Sequence, residues 1–237
     1  MLEYLKNKKI LVVVAHPDDE LLGCGATMHK LINQNNCRIQ TIILGEGITS
    51  RAAERDTQKW QNELSRHQEN LKTAKEHIGY ESIKSFNFPD NRFDSVPLLD
   101  IIKTIEKEKS EFQPEIIFTH HQGDLNIDHQ KTFEAVITAT RPLPEEKVNA
   151  IITFETPSGT EWQASTDPRN FNPNLYIKLS DENLEAKIKG MEAYEFEKRK
   201  YPHPRSPEAL RILAQRYGVM MGDEYFEAFQ IVRIKTN

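Results

Sequence analysis

The pattern of apolar and polar positions starts with a short unbroken run, Lys9–Ala15 (KILVVVA), entered by charge and left at a proline. Its length and β-branched content predict a strand buried on both faces. Leu21, Leu22, Met28, Leu31 and Ile32 then recur at helical spacing, with Asp18 or Asp19 placed to cap that helix. Arg38–Gly47 reads as a second strand ending in glycines. Arg51–Ile78 reads as a polar, mostly helical stretch with Trp60, Leu64, Leu71 and Ala74 on its apolar stripe. Glu81–Phe93 is a strand running into a proline turn, Val96–Glu108 a helix, Pro114–His121 a strand and His129–Ala139 a helix. Asn149–Thr156 and Asn174–Ser180 are later strands, and Asp181–Arg199 and Ser206–Val219 later helices.

Strands alternate with helices over the first 140 or so residues. This predicts an α/β, Rossmann-like fold: a mainly parallel sheet with helices on both faces. Ligands of such sheets bind beyond the carboxyl ends of the strands, so the active site is expected at the exits HPDDE, GEGITSR, FPDNR and THHQGDLNIDHQ. A dinucleotide cradle would need a glycine-rich turn after the first strand, and acids occupy that turn. At 237 residues, 38% hydrophobic and 28% charged, the chain is read as one domain over residues 1–237. A formal charge of -5 leaves no basic footprint for nucleic acid. Two cysteines without a paired spacing, no signal-like start and no run of membrane-spanning length lead to a cytoplasmic expectation.

Packing Asp18, Asp19 and Glu20 together costs repulsion, which a divalent cation would offset. His16 and Asp19 can converge on one point across a strand-to-helix turn, and His129 can supply a third ligand. Two histidines and a carboxylate with an open position make a hydrolytic Zn2+ arrangement, and the same set can hold Fe2+. The plainer alternative is that the acids are helix caps and His16 a surface histidine.

AHPDDE, followed about a hundred residues later by DLNIDH, resembles the PIG-L/LmbE-like family of zinc-dependent N-acetylglucosaminyl deacetylases. Ser50-Arg51, Pro89–Arg92 and the stretch from His203 onwards extend the resemblance over most of the chain. It implies that His16, Asp19 and His129 bind Zn2+, and that Asp18 is the general base toward the attacking water. The substrate would be a small N-acetylated sugar conjugate that loses acetate. An amidase for a larger acyl or thiol conjugate, and a metal-holding sugar-binding protein without turnover, are the alternatives. The resemblance is also compatible with a homo-oligomer. Asn126 stands where several members have a histidine that assists the reaction, and an amide delivers no proton at neutral pH. His120 or His121, oriented by Asp128, is the expected replacement, although Asp128 could instead only cap the helix at His129. Strand alternation allows one of the two histidines to face the ion. Arg51, Asp90, Arg92 and Asn126 are the expected substrate contacts, with Pro89–Arg92 equally good as a plain turn. Trp162 is open to a sugar-stacking or a core role, and His203 and Arg205 to a pocket edge or an oligomer contact.

Overall fold

The run after Lys9 becomes the strand around which the others assemble. The computed structural model describes residues 2–236. Its strands are β1 (Lys9–Val14), β2 (Arg38–Gly45), β3 (Ser82–Phe88), β4 (Ile116–His120), β5 (Ala150–Phe154), β6 (Leu175–Lys178) and β7 (Phe226–Ile234). They form one sheet in the order β3-β2-β1-β4-β5-β7-β6. The first five are parallel, and β7 lies antiparallel between β5 and β6. The helices are α1 (Leu2–Leu5), α2 (Asp19–Asn35), α3 (Gln61–Ile78), α4 (Leu98–Phe112), α5 (Ile127–Ala139), α6 (Asp181–Ala193) and α7 (Pro207–Met221).

The alternation of β1 builds two cores. Ile10, Val12 and Val14 enter a cluster with Met28 of α2, Leu71 of α3, Leu184 of α6 and Leu210 of α7. Leu11, Val13 and Ala15 enter a second cluster with Ile101 and Ile105 of α4 and Val136 of α5. Both faces are covered, so the strand is apolar throughout rather than alternating with polar residues. Each valine, leucine or isoleucine side chain so buried contributes roughly 1.5–3 kcal/mol by leaving water.

The helix after β1 covers one face and the helix leading into β4 covers the other, so the connections diverge between these two strands. Such a switch point opens a crevice at the carboxyl ends. β1 and β4 are direct neighbours, paired from Ile10↔Ile116 to Val13↔Thr119. The sheet therefore sets the turn after β1 beside the segment after β4, a juxtaposition that sequence could not establish.

Three stretches differ from expectation. Ala52–Trp60 is not helical, and α3 begins only at Gln61. The Asp56 carboxylate accepts from the amides of Gln58 and Lys59 at 3.1 and 3.0 Å, a local turn that competes with helix. The helix expected over Asp181–Arg199 stops at Ala193, because Tyr194 turns inward and its hydroxyl donates to Glu20 at 2.6 Å. β7 carried no expectation; its first half is largely buried and its second half ranges from half-buried to exposed, so neither a continuous nor an alternating pattern announces it. Among the described residues, no helix is long and apolar enough to cross a membrane.

Candidate active site

The three acids after β1 still repel one another, but each side chain reaches its own partner. Asp18 occupies the N-cap of α2 with φ 101°, a left-handed conformation that, glycine aside, Asn and Asp tolerate better than most residues. Its carboxylate does no capping. It accepts instead from Arg205 Nη1 at 2.8 Å. Burial drives the Asp18 carboxyl well above the ordinary range, and the Arg205 charge opposes that. Glu20 is fully buried and accepts from Tyr194 and from the Asp18 amide at 3.1 Å; burial pushes it up to about 7.

Asp19 points to the histidines. Its Oδ2 lies 3.5 Å from His16 Nδ1, 3.3 Å from His129 Nε2 and 3.4 Å from His120 Nε2. Ligand atoms from His16, Asp19 and His129 all lie within 4.8 Å of one another; His16, Asp90 and Asp128 form a second such group. The opposite nitrogens face carboxylates. His16 Nε2 lies 2.9 Å from Asp128 Oδ2, and His129 Nδ1 lies 3.1 Å from Asp124 Oδ1. Burial works against charge on both rings, but the carboxylates overcome it. They hold His16 well above the usual imidazole range and raise His129 to about 9. Burial also opposes ionisation of Asp19, and the flanking histidines nevertheless hold it well below the usual carboxylate range.

Two imidazoles and a carboxylate, converging with a second carboxylate behind each ring, match the chemistry of a divalent transition-metal site. The residues fit such an ion. Asp128 is fixed in turn by the amides of Asn91 and Phe93, at 2.6 and 2.9 Å. Asp128→Asn is therefore expected to weaken metal binding about 10–100-fold, measured by competition with a chelating dye, with the metal-free fold retained by circular dichroism.

The expected assisting histidines are placed differently from each other. His121 turns away from the cluster: its Nε2 meets the Arg169 carbonyl at 2.6 Å and its ring packs on Phe171. His120 stacks on His129 with ring centroids 3.8 Å apart. Its Nε2 accepts from the Ala15 amide at 2.9 Å, so its proton sits on Nδ1, 3.0 Å from Thr156 Oγ1. Burial, then the neighbouring His129 charge, pushes it down to about 4. Both ring nitrogens are engaged, so His120 braces β1 against β4 and has no free proton to deliver. Asp128 orients His16 rather than either of these two.

Of the expected substrate contacts, Asp90, Arg51 and Asn126 line a cavity of about 100 Å³ together with His16 and Asp18. Asp90 accepts from the Ser50 amide and from Asn91 Nδ2, both at 3.0 Å, and lies 3.3 Å from His16 Nε2. Arg51 Nη2 donates to the Phe196 carbonyl at 2.9 Å and to Glu197. Asn126 caps α5 by accepting from the Asp128 amide and donates to Asn91. Arg92 is a correction: it is exposed, reaches only toward the Ala53 carbonyl and does not line this cavity. Trp162 is 53% exposed and meets His203 edge-on, so it is not core.

Sequence reasoning missed Asp124, Glu197 and His67, and left Arg205 undecided. Asp124 lies inside the quoted motif, five residues before His129, and was the most accessible of these. Arg205 and Glu197 come from the segments flanking residue 200, where Arg205 also donates to Glu197 at 2.9 Å and to Ser158 Oγ at 2.7 Å. His67, in the middle of α3, also lines the cavity; it is 2% exposed. Burial, reinforced by the Arg51 charge, pushes its imidazole down to about 4. As pH falls below about 6.5 the unfolded chain takes up this proton first, so stability drops until about pH 4. His67→Gln is expected to remove that loss. Urea denaturation of the metal-free proteins should find the variant losing about 2 kcal/mol less than wild type between pH 7 and 4.5.

Comparison with known proteins places this geometry among relatives. The uncharacterized deacetylase YaiS of Escherichia coli K12 is 27% identical over 194 residues, 80% of this chain and 91% of that protein. The N,N'-diacetylchitobiose deacetylase of Pyrococcus horikoshii, solved with its inhibitor MPG, superposes with a TM-score of 0.73 at 20% identity, covering 98% of this chain and 88% of that one. The 4-carboxy-2-hydroxymuconate hydratase GalB of Pseudomonas putida KT2440 superposes with a TM-score of 0.66 at 20% identity, covering 97% and 99%. At these identities the two structures establish a shared fold, which evidently carries more than one reaction. The family model for GlcNAc-PI de-N-acetylase, PIG-L, matches residues 11–140, more than half of the chain, a span that includes His16, Asp19 and His129. The protein belongs to the PIG-L family.

Proposed function

We propose that the protein is a metal-dependent N-deacetylase that releases acetate from an N-acetylglucosamine-type sugar conjugate. The observation that carries this reading is the convergence of His16, Asp19 and His129 at the edge of a cavity that Asp18 also lines. The deacetylase names of YaiS and of the Pyrococcus horikoshii neighbour support it.

A divalent ion held by His16, Asp19 and His129, Zn2+ by preference for this donor set, would supply Lewis acidity toward the acyl oxygen and make a water molecule acidic near neutral pH. The chain's own residues do the rest. Asp18 accepts the proton of the attacking water, while Arg205 fixes the orientation of its carboxylate. As the C–N bond breaks, the same carboxyl returns the proton to the departing amine. No other proton donor is then required, which accommodates Asn126 in place of a histidine. Asp128 and Asp124 hold the two imidazoles in register, and Asp90 and Arg51 present polar groups to the sugar.

The test is to offer zinc-loaded protein N-acetylglucosamine glycosides and longer-chain N-acyl analogues while monitoring acetate and free amine. Acetate and amine in equal amounts are expected. Amine without acetate would select the larger-acyl amidase, and bound metal with no turnover would select a binding protein.

A further inference from the structure

We propose that His67 is a specificity-determining residue that binds ring hydroxyls of the sugar, an inference that rests on the deacetylase reading above. Among the described residues, neither His67 Nδ1 nor Nε2 has a hydrogen-bond partner, although the side chain is nine-tenths buried and more. Buried polar atoms in folded proteins are nearly always paired, and an unpaired one destabilises the fold. Two on a single ring, lining the cavity that holds His16 and Asp18, point to a partner that arrives with the ligand.

The chemistry of that partner follows from the ring. A neutral imidazole offers one donor and one acceptor, and a hydroxyl group likewise donates and accepts. An anion would satisfy only the donor, and a cation only the acceptor. The neighbouring polar groups direct their protein hydrogen bonds elsewhere than to the imidazole: Arg51 to Phe196 and Glu197, Asp90 to Ser50 and Asn91. Phe196 packs against the His67 ring with centroids 5.7 Å apart, and α3 supplies a rigid base, so the imidazole is pre-oriented. Among the described residues it makes no hydrogen bond or ring contact with His16, Asp19 or His129. This separates it from the reacting atoms and assigns it to substrate selection.

The experiment compares zinc-loaded wild type, His67→Phe and His67→Gln on methyl N-acetylglucosaminide and on its single-deoxy analogues. For His67→Phe, KM should rise about tenfold, the equivalent of one net hydrogen bond, with kcat nearly unchanged. His67→Gln, which keeps a donor and an acceptor, should recover most of that loss. One deoxy analogue should lose affinity in wild type yet no further affinity in His67→Phe, as expected for a directly coupled pair. Because the phenyl ring leaves no polar atom unpaired, the thermal midpoint of His67→Phe should not fall. A packing role predicts the reverse, so an unfolded or clearly destabilised His67→Phe overturns the proposal. A second readout needs no turnover: the ring proton signals of His67 in the metal-free wild type should shift as the glycoside is titrated. Signals that stay still while other cavity residues respond, or an unchanged KM in His67→Phe, overturn the proposal and leave the deacetylase reading standing. A wild type that neither binds nor cleaves any of these glycosides overturns both.

Discussion

Asp18→Asn is expected to keep its metal and lose about 10³–10⁴-fold in kcat. The magnitude follows from the carboxyl serving twice, as acceptor of the water proton and as its donor to the amine. Neither expected histidine stands ready as a second acid: both nitrogens of His120 are committed to Ala15 and Thr156, and His121 faces Arg169. Asparagine is the informative replacement, because Asp18 sits at φ 101°, where Asn is tolerated better than Ala. Arg205 Nη1 can still donate to the amide oxygen. Elemental analysis of the purified variant beside its acetate-release rate makes the check. Loss of the metal would place Asp18 among the ligands and overturn its assignment as base.

Asp19→Asn should do the opposite, removing the metal and with it the activity. Altering a group that merely supports a ligand costs about 10–100-fold in affinity, and altering the ligand itself should cost more than about 100-fold. Among the described residues, Asp19 is also the only carboxylate that faces His16, His120 and His129 together. With zinc at 1,000 times its dissociation constant, wild type should gain about 4 kcal/mol of stability, and a 100-fold weaker variant only about 1.4 kcal/mol. Thermal unfolding with and without zinc reads this directly. An unchanged zinc-dependent shift in Asp19→Asn would place the ion elsewhere.

Both expectations start from a motif that was legible in the sequence, and so were β1 and the parallel half of the sheet. Five fully buried residues in a row at Ile10–Val14 can hardly be anything but a central strand. The local pattern could not convey which strands are neighbours, and the β1–β4 pairing is what turns HPDDE and DLNIDH into one site. It was silent on Arg205 and Glu197 for a related reason. Their partners, Asp18 and Arg51, lie well over a hundred positions away in the chain. The end of α6 was misjudged because a tertiary contact, Tyr194 on Glu20, outweighs helical propensity there. His67 hid in plain view on the buried stripe of α3, since periodicity reports that a position faces inward and says nothing of whether its polar atoms find partners.

Glu197 receives Arg51 from the loop after β2 and Arg205 from the approach to α7, and so acts as a clasp across the mouth of the cavity. The three converging residues all lie within the first 129 positions of the chain, whereas Glu197 and Arg205 come from its last quarter. A change near the carboxyl end can therefore disturb Asp18, through its arginine, without touching the converging trio.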